Sequence, residues 1–376
     1  MKHGPLSPSP EEAEELEKRA RELTRRYEAE PGRMDVAIEL GETLERMGDF
    51  RGALRVAEGI AKKGAVTPDL ARLRAECLRV LGRPDEGLAV LETVEAMMVN
   101  HVDGWITRGR CAAAAGDTEK GLDAVRRALR LEPTSAEAHY AMGGVLALAG
   151  RPQEAERAYQ KALRLEPNMA KAHINLGLLA DGLGRKNEAF SSLRRAIQVD
   201  PRSAVAHANL GALYGEQGRR EEAMAELEEA LKIDSGSPEA HFNLAILYLD
   251  DGRLEDAAAS IATARRLAPE DTRILFYSGL LMLRQGRYGD AAKAFGEYVR
   301  TVPEDVRGFY NLGVSQLRLG QLDGAITSLR RVMETDPQNQ KASFYLGVAL
   351  DRKGLKHEAR QAYRSADPGR GGNPAR

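Results

Sequence analysis

The chain has 376 residues, 43% of them hydrophobic and 30% charged, with 55 Lys and Arg against 56 Asp and Glu. That is enough apolar material to fold. The balanced charge argues against a nucleic-acid or anionic-membrane binder, which normally carries a basic excess. Aromatic residues make up only 5%, with a single Trp, so small side chains must make many of the packing contacts.

Residues 1–9 read as a disordered N-terminus, without the apolar core of a signal peptide. Ser9, Pro10, Glu11 and Glu12 then have the makings of a helix start: cap, first-turn Pro, and acid at the third position. Leu16, Ala20, Leu23 and Tyr27 form one apolar stripe, so residues 10–33 are expected to be a capping helix.

From residue 34 onward a 34-residue grid governs the chain. Gly48, Gly82, Gly116, Gly150, Gly184, Gly218, Gly252, Gly286, Gly320 and Gly354 share one phase. Pro133, Pro167, Pro201, Pro269, Pro303 and Pro337 share another, with Ser235 in the gap. Between them lie paired helical patterns, for example 170–183 and 187–199. Gly ends the first helix of each pair in a left-handed turn, and Pro disfavours α geometry before it. Each period is therefore a helix–turn–helix hairpin. Gly143, Gly177, Gly211, Gly313 and Gly347 face Ala155, Ala189, Ala223, Ala325 and Ala359, small columns that let the two helices approach closely.

A large residue, Leu-Gly, then Ala, an aromatic or Leu, Ala and Pro, as in AHINLGLLADGLGRKNEAFSSLRRAIQVDP (172–201), resembles the tetratricopeptide repeat family. Ten repeats starting at 34, 68, 102, 136, 170, 204, 238, 272, 306 and 340 would fill residues 34–366. The resemblance implies an all-α, right-handed α-solenoid, a superhelix lined on its inner face by the first helix of each hairpin. Repeats one to three depart most, with Arg74 and Arg108 for Leu and Ala65 and Val99 for Pro. Trp105 still holds a family large-residue position. Residues 367–376 are Gly/Pro-rich and read as a disordered tail, which leaves the last hairpin as a contact for a partner or a second copy of the chain.

Catalytic chemistry finds no place in this pattern. His139, His173, His207 and His241 lie one repeat apart, about 10 Å, and cannot converge on a metal ion that needs ligands at ~2 Å. Cys77 and Cys111 are likewise one repeat apart and read as small buried residues. No phosphate loop, metalloprotease helix, nucleophile elbow or dinucleotide fingerprint occurs, so neither enzyme activity nor a cofactor is expected. No stretch nears the ~18 apolar residues of a membrane span, and a reduced cytoplasmic setting is expected.

The inner stripe points to a protein or peptide partner. Its sixth position carries Asn175, Asn209, Asn243 and Asn311, with Tyr277 and Tyr345 in the same column. An Asn amide both donates and accepts, so a column of them suits the backbone of an extended peptide. AHINLG, AHANLG and AHFNLA look like the asparagine ladder in the repeat region of O-linked N-acetylglucosamine transferases. The later repeats add Phe242, Phe276, Tyr310 and Phe344 as side-chain anchors. Arg273, Arg307 and Lys341 stand at the second position, and Arg284, Arg318 and Arg352 at the thirteenth. Early second positions are acidic: Asp35, Asp69, Asp103 and Glu137. The Lys/Asn clamp by which some family members hold a C-terminal carboxylate has no counterpart, since Ile174 and Leu178 stand at its expected positions in the fifth repeat. The expected function is a non-catalytic interaction scaffold. The alternatives are a targeting subunit of a separate enzyme such as a glycosyltransferase, or a scaffold that assembles through its ends.

Overall fold

A computed structural model describes residues 10–64 and 66–366, with the side chains of Pro10 and Glu11 left aside. The expectations for residues 1–9 and 367–376, for the Ser9 cap and for Ala65 lie outside the described residues. Among the described residues every regular element is helical. α1 (Pro10–Ala29) precedes α2 (Met34–Arg46), α3 (Phe50–Ala61), α4 (Pro68–Val80), α5 (Pro84–Glu92), α6 (Val102–Ala114) and α7 (Thr118–Leu131). Then come α8 (Ala136–Leu148), α9 (Pro152–Leu165), α10 (Ala170–Gly182), α11 (Lys186–Val199), α12 (Ala204–Glu216), α13 (Arg220–Ile233) and α14 (Pro238–Asp250). α15 (Leu254–Leu267), α16 (Thr272–Arg284), α17 (Tyr288–Thr301), α18 (Val306–Arg318), α19 (Leu322–Thr335), α20 (Gln340–Arg352) and α21 (Lys356–Ala366) complete the order. This is the expected all-α class built of helix pairs.

Two compact units form. One runs to Gln217 and takes in Lys232–Asp234; the other comprises Gly218–Leu231 and the chain from Ser235 onward. They are called the first and second unit below.

Local chemistry explains the pairs. Ser135, Ser203, Ser237 and Asn339 each accept a hydrogen bond from the backbone N–H three residues on, capping α8, α12, α14 and α20. At the other end Gly150 (φ 70°) and Gly286 (φ 73°) turn left-handed. Arg151 N–H then reaches Leu146 O at 2.9 Å and Arg287 N–H reaches Met282 O at 2.8 Å, closing the last turn. Inside each pair the small column is required by contact. A Cβ on Gly143 would lie 2.6 Å from the Tyr159 ring, one on Gly313 2.7 Å from Leu329, and one on Gly347 2.6 Å from Tyr363.

One hairpin departs from the ideal. α5 stops at Glu92 and gives way to a 3-10 turn at Glu95–Met97. No Pro sets this boundary, as Val99 stands in its place. Instead, Trp105 Nε1 donates to Met98 O at 2.8 Å, and the buried Met98 and Trp105 fix the connection. At the start of the first unit α1 lies on α2, with Leu23 packed among Val36 and Leu40.

Candidate functional site

Within each unit the first helices of successive pairs are neighbours, α4 beside α6 and α6 beside α8 in one, α14, α16, α18 and α20 in the other. Their shared row is the surface on which every candidate residue sits.

In the first unit this row is a chain of paired charges. Arg72 on α4 bonds Glu42 on α2 at 2.6 Å and approaches Glu45 at 3.7 Å. Glu76 and Arg79 pair at 2.6 Å. Arg110 on α6 pairs with Glu137 on α8, which also takes Lys171 of α10 at 2.6 Å. The Tyr140 ring lies under both cations, 5.7 Å from the Arg110 guanidinium and 4.8 Å from Lys171 Nζ. Burial would raise the Glu137 carboxyl, but Arg110 and Lys171 outweigh it and hold it at about 2. At Glu45 burial prevails and pushes the carboxyl up. The sequence showed acid at the second positions but not the partners two of them find: Asp69 hydrogen-bonds the His101 imidazole at 2.9 Å, and Asp35 pairs with Arg33 at 2.5 Å.

The asparagines are not equivalent. Asn175 is 7% exposed, and its amide donates to the hydroxyls of Tyr140 (3.1 Å) and Tyr159 (3.3 Å). It is a packing group between repeats, and it does not stand open to a peptide. Asn209 and Asn311 donate to the carbonyls of Val205 and Arg307 one turn back, at 2.8 and 2.9 Å, and both side chains are half-buried. Asn243 on α14 is half-buried with no side-chain hydrogen bond among the described residues.

The four aromatics also divide. Phe242 and Phe276 are 5% and 8% exposed and belong to the core, which corrects their assignment as displayed anchors. Phe242 is capped edge-on by Tyr277 at 5.2 Å and by the Arg273 guanidinium at 5.1 Å. Phe276 packs on Phe295 and Tyr298 and lies under Arg307 at 5.3 Å. Tyr310 is half-buried, and Phe344 is 50% exposed. These two open onto a depression of about 710 Å³ lined also by Lys341, Tyr345, Tyr363 and Arg364.

The cations are partly spent within the chain. Arg273 and Arg307 fold back onto Asp271 and Asp305, the capping carboxylates of their own helices, at 2.5 and 2.7 Å. Arg284 donates to Leu249 O and Arg352 to Leu317 O (3.5 Å), each adding a second donor to a carbonyl at the end of the preceding repeat's first helix that already accepts a backbone N–H, from Gly252 and Gly320. Arg318 and Lys341 are exposed, with no carboxylate partner among the described residues.

The histidine set has a structural explanation. Each Nε2 lies 3.0–3.1 Å from the carbonyl six residues earlier, His139 to Pro133, His173 to Pro167, His207 to Pro201 and His241 to Ser235. They fasten each first helix to the turn before it. No metal-holding cluster of His, Cys, Asp and Glu occurs among the described residues. Cys77 and Cys111 are buried and free, and burial pushes both thiols up to about 12, far from a reactive thiolate.

With this geometry in hand, comparison with known proteins is direct. One tetratricopeptide repeat model matches residues 38–96, 174–238 and 310–374, half of the chain, and two related models match 136–169 and 216–275. The chain belongs to the tetratricopeptide repeat family. Its fold is similar to that of PilF from Pseudomonas aeruginosa, at 23% identity over 57% of this chain and 96% of that one, with TM-score 0.50. It is also similar to the Cut9–Hcn1 hetero-tetramer of APC/C, at 14% identity over 89% of this chain and 81% of that one, with TM-score 0.56. No curated protein sequence matches the chain. Proteins of this family are in general non-catalytic interaction scaffolds. No described helix is long and apolar enough to cross a membrane.

Proposed function

We propose that the first-helix row of the second unit binds an extended segment of a partner protein, without catalysis. The observation that carries this reading is the pairing of half-open rings with unspent cations at one place: Tyr310 and the exposed Phe344 beside Lys341, with Arg318 on the neighbouring helix. Asn243 and the Oδ1 of Asn311, whose amide nitrogen is spent on Arg307 O, supply donor and acceptor positions for a peptide backbone. An apolar anchor with acidic flanks fits that set. Phe242 and Phe276 support the row from beneath with Arg273 and Arg307 laid over their rings, and Arg284 and Arg352 tie neighbouring first helices together.

An array of immobilised extended peptides, varied in apolar anchor and flanking charge, tests the reading. The full-length protein should select acidic peptides with a large apolar residue. Tyr310→Ala and Asn243→Ala should each weaken the best one by about tenfold while the helical circular dichroism stays unchanged. Uniform binding across the array, or selection insensitive to both changes, overturns it.

A further inference from the structure

The second unit shows what a position-five ring normally meets. Phe242 on α14 is covered by Tyr277 and Arg273 of α16, Phe276 on α16 by Arg307 of α18, and Tyr310 on α18 by the Tyr345 ring of α20 at 6.0 Å. Each time the cover is the first helix of the following repeat. Phe344, the fifth residue of α20, has ring contacts among the described residues only with Tyr345 and Tyr363 of its own hairpin, at 5.6 and 5.9 Å, and is half exposed. The same face is electrostatically one-sided. Lys341 and Arg364 line the depression beside Phe344 with no carboxylate in its lining, whereas Arg352 and Lys353 are spent on the preceding repeat, on Leu317 O and Asp323. Arg330 of α19 meets Glu358 of α21 at 2.5 Å, whereas Arg364, one repeat later, meets no carboxylate among the described residues.

We propose that this face docks an α-helix of a partner protein, seated where a following repeat's first helix would lie. The interior interfaces state its chemistry. Asp271 and Asp305 cap the covering helices α16 and α18, the Asp305 carboxylate accepting from Tyr298 of the preceding hairpin at 2.6 Å, and Tyr277 stands six residues after Asp271. The partner helix therefore carries an acid at its N-terminal cap, within reach of Arg364 and Lys341, and a large apolar side chain about six residues later over Phe344. A carboxylate at that end is also favoured by the helix dipole. A second copy of this chain offering the same face would bring like charges together, which disfavours self-pairing. This site shares Phe344 and Lys341 with the extended-segment reading but not Asn243 or Asn311, so the Asn243→Ala arm below separates the two.

A stapled helical peptide with Asp at its cap and Tyr six residues on, against a Lys-capped control, is titrated by fluorescence anisotropy onto the full-length protein. Saturable binding of the Asp peptide is expected, weakened at least about tenfold by Phe344→Ser and by Arg364→Glu, and unchanged by Asn243→Ala. Arg364→Glu should in turn favour the Lys-capped peptide, a reversal that misfolding cannot produce. Four outcomes overturn the proposal. One is no saturable binding. Another is binding that Asn243→Ala removes and Arg364→Glu does not, which assigns the peptide to the first-helix row. A third is binding that appears only when residues 367–376 are deleted, which makes the chain's own terminus the occupant. The last is concentration-dependent self-association lost in Phe344→Ser.

Discussion

The two units put opposite chemistry on the same grid. In the first, the first-helix row is closed electrostatically: Arg72, Glu76, Arg79, Arg110, Glu137 and Lys171 each meet an opposite charge, and Tyr140 and Asn175 knit into them. In the second, the row ends in half-open rings and in cations without carboxylates. A ligand at the first row must displace existing ion pairs and desolvate both partners, whereas one at the second row completes what is unfinished. Repeat architecture therefore does not by itself make a binding surface. What decides it is whether each side chain finds its partner inside the chain.

The largest expected effect tests the buried half of the second row. Phe276→Ala removes a ring packed on Phe295 and Tyr298 and should cost about 3–4 kcal/mol in urea unfolding of the second unit. Phe344→Ala should cost under about 1 kcal/mol, because half of that ring is already in water. Equal losses would erase the distinction between core and displayed aromatics. Next comes the closed row. Glu137→Gln leaves Arg110 without its carboxylate and should cost about 2 kcal/mol in urea unfolding at neutral pH, between the values for exposed and buried pairs. Since folding lowers the Glu137 carboxyl to about 2 from its ordinary value of 4.5, its contribution is complete above about 4.5 and fades as pH falls toward 2. The wild type should therefore lose its advantage over the Gln variant between those values. A constant difference would mean that the carboxylate is not what holds the pair.

These contrasts also show what the amino-acid order could and could not reveal. The glycine grid, the small columns opposite Tyr159, Leu329 and Tyr363, and the Ser caps are local or one-hairpin features, legible because each depends on residues close in the chain. The ion pairs were not, because Arg72 finds Glu42 thirty residues back and Arg110 finds Glu137 twenty-seven ahead. Arg284 and Arg352 read as peptide-binding cations for the same reason, their carbonyl acceptors lying thirty-five residues earlier. Burial of Phe242 and Phe276 is set by the next repeat's helix, so four residues alike in sequence position separate into core and surface. A test for opposite charges one repeat apart, give or take two turns, would have found the whole ladder but the Glu76–Arg79 pair.

A smaller effect separates the asparagines. Asn175→Ala strips two tyrosine hydroxyls of a buried partner and should cost about 1–2 kcal/mol in thermal or urea unfolding. Asn243→Ala, with no bond to lose, should fall within about 0.5 kcal/mol of wild type. Equal costs would show that the two rows are held together alike.

The smallest effect is a pH dependence in the closed unit. Burial lowers the His173 pKa below its ordinary value, and nearby Arg195 acts the same way against the hydrogen bond to Pro167 O. A base lowered by folding is protonated first in the unfolded chain, so stability is full above about 6.5 and declines as pH drops through that value toward the folded one. His173→Gln keeps a donor for Pro167 O but has no proton to gain. Its unfolding midpoint should therefore fall less than that of the wild type between pH 7 and pH 5.5, a range above the titration of Glu137. Identical slopes for the two proteins would mean that the imidazole takes its proton in the fold as readily as in the unfolded chain.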